Sequence, residues 1–402
     1  MRSRTNLFVS ALVFINMLSG TLLIPAVRPL FAALHPGNDA AMHAFFSINM
    51  LGACIGAPLF GLLADRTRGH RQLAALLALA DGLLLIPCAA PIPLEWALLL
   101  RLFQGAANVG SLSLLMGYQP ANEAPAGLSH TSGGFMGARG MAIVLAIAGG
   151  APLGTLMLHW GPQAPFRFAA LCGLCVFAAI SALPPSAARA AHPGALASLL
   201  KNAAFLRLPA LWIGVERFTV GCFVITLSLY AHRILGYSDA KVGALFSCFL
   251  IPFALATWPL ARFGRAFERR ELMIGGALVY GLCFLSLGSG QTLLLPLLLA
   301  IAGTASAAIY SPSLCLAVSL APKSLCASAM GLTNAAGTLG MLLGTASAGI
   351  LTAVLSRHGA AQVDIYLWIF RLAGAAPLAT LLVSLPAFSM ILPAELRAEV
   401  AA

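Results

Sequence analysis

The feature that most narrows what this chain can fold into is a series of apolar runs, each about as long as a bilayer is thick. They lie near 6–33, 42–64, 71–91, 94–118, 138–159, 164–184, 208–231, 240–263, 271–289, 292–319, 327–355 and 365–391, separated by short breaks of Pro, Gly or charge. An apolar helix of about 20 residues spans the hydrocarbon, so these runs predict twelve crossings joined by short connectors. Only 9% of the 402 residues are charged and 60% are hydrophobic, with a mean hydropathy of +0.93. A soluble domain carries roughly a quarter charged residues, so a soluble enzyme is excluded. The expected fold is an all-α membrane protein of twelve transmembrane helices.

The net charge of +11 would suggest nucleic acid in a soluble protein, so the placement of the cations decides. With the N-terminus inside and twelve crossings, Arg2, Arg4, Arg66, Arg68, Arg71 and the group Arg262, Arg265, Arg269 and Arg270 all fall on the inner side. The positive-inside rule then places both termini in the cytoplasm, and no nucleic-acid partner is needed. The expected location is a bacterial inner (plasma) membrane. The basic start resembles a signal peptide, but its apolar run continues without a small-residue cleavage site and reads as a retained first helix. The nine cysteines sit mainly in apolar runs and act as small packing residues, Cys172 and Cys175 included.

The longest polar break, 185–206, divides the chain near its midpoint into halves 1–184 and 207–402 and reads as a cytoplasmic linker. The halves look like copies. Gln72-Leu73 and Asp81-Gly82 align with Glu271-Leu272 and Tyr280-Gly281 at an offset of 199, Gly105 with Gly303 at 198, and Phe166-Arg167 with Phe370-Arg371 at 204. A duplicated six-helix unit gives two pseudo-symmetric bundles.

Ionisable residues inside apolar runs mark function, because hydrocarbon penalises them. Asp81 lies in the third run, Arg101 in the fourth, and Glu216 and Arg217 in the seventh. Neighbours on a helix project about 100° apart, so Glu216 and Arg217 are each expected to pair across the bundle. That pairing would be either a structural salt bridge or a proton-coupling device; the same coupling role is open to Asp81, with Arg101 as its cation. Arg101 either faces the interior or snorkels to the outer interface six residues past Glu95. Asn16, Asn49, Gln104, Asn108, Tyr230, Tyr310 and Asn334 are candidates for a central cavity or for hydrogen-bond glue between helices. Gly105, Gly150, Pro152 and Gly154 read as close-packing positions, the last three with a proline bend.

After the second run comes Gly61-Leu62-Leu63-Ala64-Asp65-Arg66, with Arg71 closing the turn. Gly61 permits close helix approach, Asp65 can take a helix N-terminus or an arginine, and the cations hold the turn at the surface. A degenerate copy, Gly264 to Arg270 with Glu268 and Arg269, follows the eighth run. These two gate sequences, and Arg101-Leu102-Phe103-Gln104-Gly105 in the fourth helix, resemble the major facilitator superfamily. The Gly149-Gly150-Ala151-Pro152 stretch resembles in part the motif of that family's antiporters. The resemblance covers nearly the whole chain and implies a monomeric secondary transporter that alternates access to a midplane site. It is expected to export a small amphipathic or lipophilic compound against protons. The alternative is an importer or symporter of a small anionic metabolite or metal chelate, received by Arg101 and Arg217.

No G-x-x-x-x-G-K loop, H-E-x-x-H, G-x-S-x-G or zinc-spaced Cys/His cluster occurs, so neither ATP-driven nor hydrolytic chemistry has its residues, and no cofactor or metal is expected. The partners expected are the substrate, protons and the lipid bilayer.

Overall fold

The computed structural model describes residues 2–27, 29–30, 39–67, 69–118, 130–184, 203–263, 266–289, 294–321 and 325–400. Gly264 and positions 185–202 of the linker lie outside the described residues, as do the side chains of Glu268 and Arg269. The described residues form twelve α-helices and no strand: α1 (Arg2–Thr21), α2 (Asp39–Thr67), α3 (His70–Cys88), α4 (Leu94–Gly117), α5 (His130–Met157), α6 (Ala164–Ile180), α7 (Ala203–Arg233), α8 (Asp239–Phe263), α9 (Ala266–Leu287), α10 (Leu295–Ser319), α11 (Cys326–Arg357) and α12 (Gln362–Val400). Ten of them contain a stretch long and apolar enough to cross a bilayer. Of the other two, α6 is apolar but only 17 residues long.

Helix ends depart from the apolar runs where backbone chemistry overrides composition. The first run extends to 33, yet α1 stops at Thr21 and the chain turns through 22–26. Pro25 explains this: it has no N–H to donate and its ring collides with the carbonyl four residues back. In the opposite direction, α5 begins at His130 rather than 138, through the polar His130-Thr131-Ser132-Gly133-Gly134. That start carries no apolar signal because a helix can extend beyond the hydrocarbon. The final helix likewise runs 39 residues, past the span that composition marks.

The outer faces are oily. On α2, Leu51, Ile55, Leu59 and Leu63 recur every fourth residue and are all exposed, as are Trp96, Leu99 and Phe103 on α4. Such stripes on a soluble protein would be docking patches; on membrane-spanning helices they are the lipid face. At a helix end, Trp160 stacks on Phe168 with ring centroids 5.8 Å apart, and its amphipathic indole suits the interface.

The described chain divides into two compact units. One comprises Met1–Ala126, Ala142–Ala203 and Val318–Ala335, the other Gly127–Met141, Ala204–Ala317 and Ala336–Ala402. Inside each, the same small residues permit the same helix crossings. In the first, a Cβ at Gly105 would collide with the Asn49 carbonyl; in the second, one at Gly303 would collide with the Phe249 carbonyl, so α4 on α2 repeats as α10 on α8. A Cβ at Gly82 would lie 2.8 Å from the Ala170 carbonyl oxygen and press on Leu174, while one at Gly281 would lie 2.8 Å from the Gly374 carbonyl oxygen and press on Leu378, so α3 on α6 repeats as α9 on α12. The offsets are those of the sequence repeat: 199 between the glycines and 204 between their partners. Gly150 and Gly154 close on Thr21 and Leu22 at the end of α1, and Pro152 lies between them inside α5.

Candidate functional site

The buried stripe of α3 contains Ala74, Leu77, Ala78, Asp81, Leu85 and Cys88, spaced three or four residues apart. Asp81 therefore projects inward by helical period alone. On α4, Arg101, Gln104 and Asn108 occupy one buried face at the same spacing. Helix periodicity thus aims an acid, a cation and two amides at one another from two helices, and α1 and α2 add Asn16, Ser19 and Asn49.

The Asp81 carboxylate is 0% exposed. Its Oδ2 accepts from Ser19 Oγ at 3.0 Å and Asn108 Nδ2 at 3.0 Å, and its Oδ1 accepts from Gln104 Nε2. All three donors are neutral. Arg101 does not touch Asp81: its Nη1 donates to Gln104 Oε1, which also accepts from Asn49 Nδ2 at 2.8 Å. Gln104 is therefore a bridge, receiving the cation at its oxygen and offering its nitrogen to the acid. Asn16 and Asn108 lock α1 to α4 through reciprocal side-chain to carbonyl bonds of 3.1 and 3.2 Å. Ser19 Oγ lies 2.8 Å from the Asn16 carbonyl. Arg101 is 2% exposed and its guanidinium lies 5.0 Å from the Phe45 ring centroid, so it faces the interior and does not snorkel. Asn16 Oδ1 and Arg101 Nε are buried with no hydrogen-bond partner.

A second polar centre occupies the other unit. Glu216 on α7 is 0% exposed and its Oε1 accepts from Ser306 Oγ on α10 at 2.7 Å. Its Oε2 faces Arg217 Nε at 3.4 Å, and the Arg217 guanidinium lies 5.1 Å from the Tyr310 ring centroid. Sequence neighbours thus pair with each other, against the expectation drawn from helix geometry. The long arginine stem bends across the 100° between them, and Tyr310 supports the guanidinium there. Ser306 is the repeat counterpart of Asn108, offset by 198 like Gly303 and Gly105, so equivalent α10 and α4 positions each donate to the buried acid of their unit. The acids themselves are not equivalent: Asp81 aligns with Tyr280, which stands near Glu216 on α9.

Of the first gate sequence, Gly61, Asp65 and Arg66 occupy the end of α2 and Arg71 the start of α3. Asp65 accepts from the backbone N of Ser328 at 2.8 Å and from Ser328 Oγ at 2.6 Å, so it caps the first turn of α11 rather than pairing with an arginine. The approach is permitted by glycines: a Cβ at Gly61 would meet the Ala327 carbonyl at 2.6 Å, and one at Gly331 would collide with the Ala57 carbonyl. Arg66 is exposed, and Arg71 Nη1 donates to the Leu183 carbonyl at 2.8 Å. Asn334 donates to Ser113 Oγ at 2.9 Å. Tyr230 packs edge-on against Tyr366 and Phe370 near the end of α7.

Sequence reasoning overlooked Ser19, Ser306 and Ser328. The repeat offset carried a signal for Ser306, opposite Asn108; the other two had none, since serine is ordinary glue in membrane helices. An open apolar cleft of about 820 Å³, lined by Pro259, Leu260, Leu272, Gly276, Ile301 and Ala308 among others, includes neither buried acid. Among the described residues no group of three or more His, Cys, Asp or Glu is placed to hold a metal ion.

No curated protein matches the chain in sequence. Solved structures do match its fold. The crystal structure of the human organic anion transporter MFSD10 (TETRAN) superimposes with a TM-score of 0.74 at 18% identity, covering 93% of this chain and 98% of that one. The proton:xylose symporter XylE superimposes with a TM-score of 0.72 at 15% identity, covering 94% and 95%. Residues 9–232 and 213–400 match the Major Facilitator Superfamily, so this chain, with its oily outer stripes, buried ionisable centres and repeated helix crossings, belongs to that family: a multi-pass membrane transporter, not an enzyme.

Proposed function

We propose that the protein exports a small amphipathic or lipophilic compound in exchange for protons, with Asp81 as the proton-carrying group and the halves 1–184 and 207–402 as the moving parts. One observation carries this reading. A fully buried carboxylate is held only by neutral donors, with its cation one amide away through Gln104. An ionised carboxylate offers only acceptor sites, which Ser19, Asn108 and Gln104 use. A protonated one presents an O–H that needs an acceptor, so at least one of those neighbours must switch from donating or give way, and the hydrogen bonding that joins α1, α3 and α4 rearranges. That gives the proton a differential interaction with two arrangements, the condition for coupling.

The energy suffices. One proton moving down about 100 mV and about one pH unit supplies about 2.3 plus about 1.4 kcal/mol, a gradient of several hundredfold in a neutral substrate. In this reading the Asp65 cap on α11 is the cytoplasmic latch, released and remade in each cycle, and both termini are cytoplasmic.

The test uses proteoliposomes with the protein inserted to pump inward, an imposed pH gradient, and a compound found by thermal-shift screening of the purified protein. Uphill accumulation should vanish with an uncoupler. Asp81→Asn should abolish uphill accumulation while leaving substrate exchange across the membrane. Accumulation that ignores the uncoupler, or that survives in Asp81→Asn, refutes the reading.

A further inference from the structure

Arg217 lies well inside the apolar Leu206–Arg233 span of α7, yet 15% of its side chain is accessible while Glu216 beside it has none. An arginine side chain opening onto hydrocarbon at that depth is strongly disfavoured, so its accessible part belongs to a wet or ligand-filled space. Its hold on Glu216 is loose. The 3.4 Å separation exceeds the 2.7–2.9 Å of a charge-assisted hydrogen bond, and Glu216 makes its better bond to Ser306 at 2.7 Å. Glu216 Oε2 has no hydrogen-bond partner although it is buried. The other groups around the pair are Tyr280 from α9 and Tyr310 from α10, both neutral phenols, with Tyr310 the second polar neighbour of Arg217. One cation is therefore under-used, with an aromatic wall formed by Tyr310 and, 5.6 Å behind it, Phe253. Arg101 offers no such accessible part: it is 2% exposed and its Nη1 is committed to Gln104.

We propose that Arg217 anchors an acidic group of the substrate, a carboxylate or sulfonate on an apolar body, and that Glu216 is an internal stand-in which the substrate's acid displaces. This rests on the transport reading above and names its substrate class. A planar, five-donor guanidinium suits bidentate capture of a carboxylate or sulfonate. The displaced Glu216 keeps its bond to Ser306, so the exchange strands no polar atom beyond the one already without a partner.

The test is equilibrium binding to the full chain in nanodiscs of zwitterionic phosphatidylcholine, with naphthalenesulfonate and naphthoate as probes and naphthamide as their neutral match. The wild type should bind the acids at least about tenfold more tightly than the amide, the margin of one well-formed charge-assisted contact. Arg217→Gln should erase that preference and Arg217→Lys should keep part of it. Glu216→Gln should strengthen acid binding several-fold, because the competitor is gone; a merely structural ion pair would make it weaken binding together with Arg217→Gln. Arg233→Gln, which removes a cation from the same helix away from the pair, should change nothing. No preference for acids in the wild type, or weakened acid binding in Glu216→Gln, overturns the proposal. Displacement of the probes when phosphatidylglycerol replaces phosphatidylcholine also overturns it, by assigning the guanidinium to a lipid headgroup. Binding is read without a gradient, so failure of proton coupling leaves these outcomes untouched, and their failure leaves coupling to be judged by uphill transport.

Discussion

Gln104→Leu should do more damage than any other single amide change in the chain. Leucine matches glutamine roughly in volume, so the change removes polarity without opening a large cavity. It deletes the acceptor of Arg101 Nη1 and the donor to Asp81 Oδ1, and both partners are buried. A hydrogen bond to a charged group is worth about 1.5–3 kcal/mol, so the two ends together are worth about 3–6 kcal/mol. Asn49 loses its 2.8 Å bond to the same oxygen, a neutral contact of about 1 kcal/mol. Asn49→Leu alone should therefore cost about 1 kcal/mol, and the double variant should cost no more than Gln104→Leu, giving a coupling energy near that same value. The assay is equilibrium unfolding in mixed detergent micelles, followed by the fluorescence of Trp212, which is fully buried on α7, with uphill transport measured alongside. A Gln104→Leu penalty below about 1 kcal/mol, or strict additivity with Asn49→Leu, would show that the glutamine carries no load between cation and acid.

Three further outcomes follow from the geometry. Ser328→Ala and Asp65→Asn should each loosen the first turn of α11 by about 0.5–2 kcal/mol, read as faster amide exchange at Ala327 and Ser328, and the two effects should be non-additive; additive effects would mean the 2.6 and 2.8 Å bonds do not form in the membrane. Gly105→Ala and Gly303→Ala should each lower stability by about 1–3 kcal/mol, since each methyl would enter a neighbouring carbonyl, whereas Gly243→Ala, with nothing within 4 Å, should be tolerated; equal tolerance at all three would contradict the repeated crossings. Leu59→Arg, on the exposed stripe of α2, should lower membrane insertion by about 2.5–3.5 kcal/mol in a glycosylation-mapping assay; wild-type insertion would place that face away from lipid.

Twelve helices were legible because an oily run cannot hide among polar connectors, and the duplication was legible because helix crossings demand small residues at fixed offsets. Helix ends were not. The first run looks continuous to 33 on composition, and only the backbone geometry at Pro25 stops α1 at Thr21. Asp81, Arg101, Gln104 and Asn108 stood out because charge and amide groups are rare in such runs. The arrangement among them did not: Arg101 and Asp81 are bridged rather than paired, since the rotamers that place Gln104 between them leave no trace in spacing. Asp65 and Ser328 are 263 residues apart, and nothing periodic links them. For Glu216 and Arg217, spacing misled, because side-chain length outweighed the angle between neighbouring positions.

What the two units share and what they do not share separates scaffold from function. Gly82 and Gly281, and Gly105 and Gly303, meet equivalent partners, so these positions answer to packing that both units require. If buried acids answered to packing too, they would also coincide, but Asp81 aligns with Tyr280 while Glu216 lies on α7. Their settings differ in kind as well: Asp81 accepts only from neutral donors, whereas Glu216 faces an arginine directly. Neutralising them should therefore produce unlike defects. Asp81→Asn keeps acceptor capacity for two of its three donors and should retain the fold while losing the link between proton and substrate. Glu216→Gln releases a guanidinium and should alter what the protein binds. Matched losses in the two variants, with the same fall in stability and the same residual transport, would mean that both acids merely fasten helices, and that the asymmetry between the units is incidental.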